Sequence, residues 1–308
     1  MALLFYSLDD DPEAWRQELQ KRLPGLDFRV WPEIGDPAAI EAALVWKPPP
    51  GLLRELPNLR CILSLAAGVD AMLADPTLPD APLCRLVDPS LTVTMSEFVL
   101  LQVLKYHRGL DLYARQQRAA TWRLHLPRPA AGTVVGVMGL GVLGTDAART
   151  LVAHGFSVRG WSRTEKVLDG IEGFHGEEGL GPFLAGTAIL VCLLPLTQAT
   201  RGILNTGLFA RLPEGAKLIN VARGGHLVED DLIEALDRGH LAHASLDVFA
   251  DEPLPAEHPF WRHPRIDVTP HAASYGLPES AAAGVAENLR RLSAGEPLLD
   301  VVDRERGY

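Results

Sequence analysis

Along this chain, short apolar runs alternate with stretches whose apolar residues recur every three to four positions, the pattern of strands alternating with helices. Residues 3–6 read as a strand, and residues 14–23 as an amphipathic helix behind the capping run Asp9-Asp10-Asp11. Residues 27–31 and 43–46 predict further strands closed by Pro or Gly. Residues 61–65 predict a buried strand that ends in the turn Ala66-Ala67-Gly68-Val69-Asp70. Together they form one small α/β unit. The pattern then changes at Ser96 to a long helix over residues 97–117, carrying Val99, Val103, Tyr106, Leu110 and Tyr113 at helical spacing.

A basic, Pro-containing loop over residues 123–129 leads into residues 133–138, a near-continuous apolar strand of the kind buried on both faces of a parallel sheet. From there strands (157–161, 188–193, 217–220, 244–248, 266–268) alternate with helices (142–153, 179–184, 208–212, 229–238). Six βα repeats predict a doubly wound parallel-sheet domain. The tail over residues 278–294 is helical again with no strand of its own, so it is expected to pack on the first unit. The expected division is a discontinuous unit of residues 1–95 with 277–308, and a second unit of residues 96–276. Two domains also suit 308 residues, about twice a typical single domain.

Composition narrows the function classes. Apolar residues make up 47% and charged residues 22%, as in an ordinary soluble globular protein. The formal net charge of −10 argues against a general nucleic-acid or anionic-membrane surface, while leaving room for a local cationic pocket. Cys61, Cys84 and Cys192 show no CxxC spacing, which fits a reducing compartment without disulfides. The N-terminus has no basic n-region and too short an apolar run for a signal peptide, so the expected location is the cytoplasm.

The turn Gly139-Leu140-Gly141-Val142-Leu143-Gly144 follows a strand and opens an amphipathic helix, the context in which GxGxxG binds a dinucleotide. Gly139 permits the tight turn, Gly141 lets the backbone approach a pyrophosphate, and Gly144 lets helix and strand pack closely. The helix start supplies partial positive charge to the phosphates. At the end of the second strand, where an NAD-selective fold places Asp or Glu, this chain has Ser162 followed by Arg163. A hydroxyl and a guanidinium suit a 2′-phosphate, so NADP is expected over NAD, with NAD possible.

Arg223 follows the strand at 217–220, at the carboxyl edge where ligands bind in this fold class, and a guanidinium there can grip a substrate carboxylate. His271 stands after the strand at 266–268 and can donate a hydrogen bond, then a proton, to a carbonyl oxygen. Glu252, nineteen residues earlier, can hold the imidazolium and fix its tautomer. Among the 10 histidines, His240, His243, His258 and His263 read as loop or surface residues. No GxSxG or HExxH occurs, which counts against a serine hydrolase or a metal hydrolase, and no metal is expected.

These residues make the chain resemble the D-2-hydroxyacid dehydrogenases, in particular the branch of short glyoxylate/hydroxypyruvate reductases. Matching stretches include Val45-Trp46-Lys47-Pro48-Pro49, Ala67-Gly68-Val69-Asp70, the Gly-rich turn, Trp161-Ser162-Arg163 and Leu194-Pro195-Leu196-Thr197. Further matches are Val221-Ala222-Arg223-Gly224, Leu246-Asp247-Val248-Phe249, Glu252-Pro253-Leu254-Pro255, Trp261-Arg262-His263-Pro264, Thr269-Pro270-His271 and the closing residues 302–308. The resemblance implies a Rossmann cofactor domain and a smaller flavodoxin-like substrate domain. It implies catalytic Arg223, Glu252 and His271, and substrate contacts from Trp46, Ala67, Gly68 and Arg223. It also implies cofactor contacts from Gly139, Gly141, Val142, Leu143, Gly144, Ser162, Arg163, Leu194, Pro195, Thr197, Val221, Ala222, Asp247 and His271. A homodimer using the helix from Glu97 follows from the same resemblance. Two positions depart from the family's pattern: Ala66 stands for a frequent Gly in the carboxylate loop, and Ser162 for the usual acidic residue.

The activity so implied is NADPH-dependent reduction of glyoxylate- or hydroxypyruvate-type 2-keto acids to D-2-hydroxy acids. Alternatives are a non-catalytic nucleotide-sensing relative, or a dehydrogenase acting on another 2-keto acid or a phosphonate.

Overall fold

The computed structural model describes residues 1–308 and divides into two compact units, Met1–Leu91 with Tyr275–Tyr308, and Thr92–Ser274. In the smaller unit the strands are β1 (Ala2–Tyr6), β2 (Asp27–Val30), β3 (Ile40–Val45), β4 (Cys61–Ser64) and β5 (Leu83–Cys84). They pair in parallel in the order β2-β1-β3-β4-β5, the flavodoxin order. Helix α1 (Pro12–Arg22) starts where the Asp11 carboxylate accepts the Glu13 amide at 2.9 Å, with Pro12 preset for the first turn. Helix α2 (Asp70–Leu73) follows β4. Helix α9 (Pro278–Ala294) packs beside α1 and ends at Gly295 in the left-handed conformation.

The larger unit is built on seven parallel strands, β6 (Val134–Met138), β7 (Ser157–Ser162), β8 (Ile171–His175), β9 (Ile189–Cys192), β10 (Ala216–Asn220), β11 (Leu241–Leu246) and β12 (Ile266–Val268). Their order is β12-β11-β10-β9-β6-β7-β8, so the winding reverses between β6 and β9. That reversal is the doubly wound arrangement, and its crevice is the ligand position of the class. Side chains alternate across the sheet. Ile189 and Val191 of β9 join one core with Val135 and Val137, while Leu190 and Cys192 join the other with Met138 and Leu218. Each fully buried Leu or Val contributes about 1.5–3 kcal/mol, which explains why β9 reads as an unbroken apolar run.

Helices α5 (Val142–Ala153), α6 (Gly176–Leu184), α7 (Thr206–Phe209) and α8 (Glu229–Asp237) fill the crossovers. The expected long helix over 97–117 is two helices, α3 (Pro89–His107) and α4 (Leu110–Arg118), broken at Gly109 with φ +66°. Ser96, where the second unit was expected to begin, lies inside α3. Two strands escaped the periodicity: β5 has only two residues, and β8 is half-exposed at the sheet edge, with Ile171 opposite Val158. No helix is long and apolar enough to cross a membrane.

Candidate active site

At the winding reversal the Gly-rich turn folds as tightly as glycine allows. Gly139 has φ +99°, and a Cβ on it would lie 2.5 Å from the Leu193 carbonyl oxygen at the end of β9. A Cβ on Gly144 would lie 1.8 Å from the Gly139 carbonyl oxygen, so α5 is pressed against the turn. Gly141, by contrast, faces open space with no atom within 4 Å of a notional Cβ. The amides of Val142, Leu143 and Gly144 form the first turn of α5, where helix N–H groups have no partner within the helix. A crowded turn around an open, amide-lined mouth fits a dinucleotide pyrophosphate.

β7 ends beside this turn. Ser162 is buried, and its hydroxyl donates to the Thr164 carbonyl at 2.8 Å. Arg163 is exposed. Lys166, which sequence reasoning passed over, donates from its ammonium to the Leu140 carbonyl inside the Gly-rich turn. Leu194, Pro195 and Thr197 follow β9, where the Pro195 carbonyl accepts the Thr200 hydroxyl at 2.7 Å and the Thr197 amide meets Thr200 Oγ1 at 2.9 Å. Val221 and Ala222 leave β10 as buried residues whose backbone lies at the same edge.

Arg223 is extended, with φ −146° and ψ 149°, and its Nη1 donates to the Ala222 carbonyl at 2.7 Å. Its backbone is tightly held. The Asn220 side-chain amide donates to the Arg223 carbonyl at 3.2 Å. The fully buried His226 lies 3.1 Å from that oxygen by Nδ1 and 3.2 Å from the Pro195 carbonyl by Nε2. This imidazole ties the Arg223 loop to the loop after β9, a role no spacing in the sequence announces. Next door, a Cβ on Gly224 would lie 1.8 Å from the Phe249 carbonyl carbon, so the segment leading to Glu252 rests on the Arg223 loop.

His271 follows β12 and Glu252 follows β11. The imidazole Nδ1 is 2.9 Å from Glu252 Oε2, and the carboxylate's other oxygen accepts the Phe249 amide at 3.1 Å. His271 occupies the left-handed region at φ 52°, unusual for a residue with a side chain. Asp247 holds it there. The Asp247 carbonyl accepts the His271 amide at 2.8 Å. Its buried carboxylate accepts the Thr269 hydroxyl at 2.5 Å and the Ala272 and Ala273 amides at 2.9 Å each. The Asp247 carboxylate thus braces the turn that aims the imidazole.

In the smaller unit, Trp46 follows β3 and its amide donates to the Tyr6 carbonyl at 2.8 Å, with the Lys47 ammonium 5.1 Å from the ring centre. Ala67 and Gly68 are half-buried between β4 and α2. Both units therefore place their candidate residues at the carboxyl ends of parallel strands. A cavity of about 280 Å³ in the larger unit is lined by Lys105, Asp111, Arg115, His243 and Asp267 among others, and is not lined by Arg223, Glu252 or His271. His243 there is buried, contrary to its reading as a loop or surface residue, because it lies on β11 and pairs with Asp267 of the neighbouring strand β12.

Comparisons with known proteins bear on this site. Residues 100–273 match the model of the D-isomer specific 2-hydroxyacid dehydrogenase NAD-binding domain. Glyoxylate/hydroxypyruvate reductase A of Photorhabdus laumondii is 46% identical over 314 residues, covering all of both chains. A D-isomer specific 2-hydroxyacid dehydrogenase of Xanthobacter autotrophicus, solved with NADPH and MES, is 50% identical with a TM-score of 0.96 over 100% of this chain and 99% of that one. An NADPH-dependent glyoxylate/hydroxypyruvate reductase of Sinorhizobium meliloti, solved with NADP and sulfate, is 41% identical with a TM-score of 0.93 over all of both chains.

Proposed function

The chain belongs to the D-isomer specific 2-hydroxyacid dehydrogenase family, and from that premise we propose that it reduces glyoxylate- or hydroxypyruvate-type 2-keto acids with NADPH. It is an NAD(P)-dependent oxidoreductase. The observation that carries the finer reading is the His271–Glu252 pair at 2.9 Å, held at the same sheet edge as Arg223 within one unit.

Arg223 binds the substrate carboxylate, a bidentate match that also orients the adjacent ketone. Glu252 faces Nδ1 of His271, which leaves Nε2 as the nitrogen that donates to the ketone oxygen and delivers the proton. When bound, the reduced nicotinamide supplies the hydride that reduces C2. Asp247 keeps the imidazole aimed by fixing its turn. Trp46, Ala67 and Gly68 are proposed to contribute substrate contacts from the smaller unit. The mouth around Gly141, with Val142 to Gly144, is proposed to take the pyrophosphate. Leu194, Pro195, Thr197, Val221, Ala222 and Asp247 are proposed to border the rest of the cofactor. Ser162 and Arg163 are proposed to lie at the 2′-phosphate.

Related structures solved with NADPH or NADP support that cofactor here. We also propose a homodimer through the larger unit, supported by apolar side chains left exposed on α3 and on the segment after α4, including Leu101, Trp122, Leu124 and Leu126. Light scattering of the purified chain checks it. A cytoplasmic location is proposed from the three free, buried cysteines.

Oxidation of NADPH and NADH, followed by absorbance with glyoxylate, hydroxypyruvate, pyruvate and phenylpyruvate, tests the reading. Faster NADPH oxidation with the two small polar acids supports it. No turnover with any of the four acids contradicts it.

A further inference from the structure

We propose that the cavity of about 280 Å³ in the larger unit is a binding site for a small phosphate compound, separate from the candidate active site. One face of α4 forms a wall of it. Asp111, Ala114, Arg115 and Arg118 follow the three- and four-residue steps that put side chains on one side of a helix, and all four line the cavity. The sheet contributes His243 of β11 and Asp267 of β12, and the segment before β12 contributes Arg262. His243 and Asp267 lie within the bodies of their strands, whereas Glu252 and His271 follow the carboxyl ends of the same two strands.

Three buried polar atoms on this lining have no hydrogen-bond partner: Asp111 Oδ1, Arg115 Nε and His243 Nδ1. Asp111 and His243 are each only 4% exposed. A buried polar atom left unpaired destabilises a fold, so three around one space call for a ligand that answers them together. Their demands differ. Arg115 Nε–H needs an acceptor, and Asp111 Oδ1 needs a donor. His243 gives Nε2 to Asp267 Oδ2 at 2.8 Å, so that nitrogen carries the hydrogen; Nδ1 accepts when the ring is neutral and donates when it is charged. Charge decides the sign of the ligand. Lys105 is tied to Asp267, which leaves Arg115, Arg118 and Arg262 without ion-pair partners against the one remaining carboxylate, Asp111. In a chain of formal net charge −10 this is a local excess of positive charge. An anion that brings its own O–H meets all of these demands. Hydrogenphosphate, or a small phosphate ester with one proton, offers oxygens to the guanidiniums and a hydroxyl to Asp111. Sulfate offers acceptors only and meets Asp111 as a like charge. The volume is close to the roughly 300 Å³ at which small-ligand pockets begin, enough for a phosphate with a short organic remainder.

Calorimetric titration of inorganic phosphate, glycerol 3-phosphate and sulfate into the full-length protein tests this, with saturating NADP present to fill the cofactor's own phosphate positions. The wild type is expected to bind phosphate or glycerol 3-phosphate at least about tenfold more tightly than sulfate, and the tighter of the two tells a free ion from an ester. R115M is expected to weaken both about tenfold, with R115K restoring part of the loss. R118M, at an exposed position, is expected to weaken both about threefold and serves where R115M does not fold. D111N, whose amide can donate to sulfate, is expected to bring the preference over sulfate below about twofold. Wild-type phosphate affinity in R115M and R118M puts the anion elsewhere and overturns the proposal. Equal binding of phosphate and sulfate by the wild type, or binding of neither, overturns it as well. Light scattering on the same samples covers the last case: an R115M protein that changes oligomeric state while keeping its phosphate affinity makes the cavity a contact between copies, and the proposal falls.

Discussion

Glu252 engages His271 with one carboxylate oxygen, at 2.9 Å from Nδ1, and the Phe249 amide with the other, at 3.1 Å. Both partners need an acceptor, and a carboxylate supplies two. Glutamine has the same shape but one acceptor and one donor group, so it can satisfy the Phe249 amide or the imidazole N–H, and not both. Nor does it carry the charge that stabilises an imidazolium.

For Glu252→Gln the expected result is a fall in kcat of about 10²-fold, the scale of positioned acid–base catalysis, with the KM for NADPH little changed. Steady-state kinetics at saturating NADPH reads this directly. Wild-type kcat in the variant would remove Glu252 from the mechanism.

Gly224 makes a second, purely steric prediction. A Cβ at this position would lie 1.8 Å from the Phe249 carbonyl carbon and 2.1 Å from its oxygen, both backbone atoms that cannot swing away. A Cβ at Gly225 would meet the ends of the Leu196 and Arg201 side chains, at 3.0 Å and 3.2 Å, which can. Gly224→Ala must therefore separate the Arg223 loop from the segment carrying Glu252. It should destabilise the protein by about 3 kcal/mol or more and raise the KM for the 2-keto acid, whereas Gly225→Ala should cost about 1 kcal/mol or less. Urea unfolding of the two variants decides it, and equal stabilities would refute the close approach.

These relationships were unevenly visible in the sequence. Helix α5 (Val142–Ala153), strand β12 (Ile266–Val268) and helix α9 (Pro278–Ala294) stood out because Gly or Pro punctuates an unbroken apolar period. The break at Gly109 did not, since Tyr106, Leu110 and Tyr113 stay in helical phase across it. β8 hides because a half-exposed edge strand needs no apolar face. Motif spacing pointed to Arg223, Glu252 and His271, but not to the groups that aim them. Asp247 acts through backbone amides of the His271 turn, and His226 through two carbonyls, contacts that leave no trace in composition or period. Lys166 is equally silent as a sequence feature, one more cation in a polar loop.

Away from Arg223, Glu252 and His271, Asp267 in the middle of β12 gives the pH prediction. Burial alone would raise its pKa, but hydrogen bonds and charge from His243, at 2.8 Å, and from Lys105 hold it at about 2, below the ordinary 3.8. A carboxylate whose pKa is lower folded than unfolded adds stability that is fully present above the unfolded value. That stability drains away as pH falls through the folded one. The Asp267 contribution should therefore be constant above about pH 5 and decline between about pH 4 and about pH 2. Because the side chain is 39% exposed, solvent screening reduces the effect to the order of 1 kcal/mol. Urea unfolding of the wild type and Asp267→Asn at a series of pH values should show the stability gap narrowing by that amount on acidification. A gap that stays constant down to about pH 2.5 would mean that His243 and Lys105 do not hold this carboxylate in its charged form in solution.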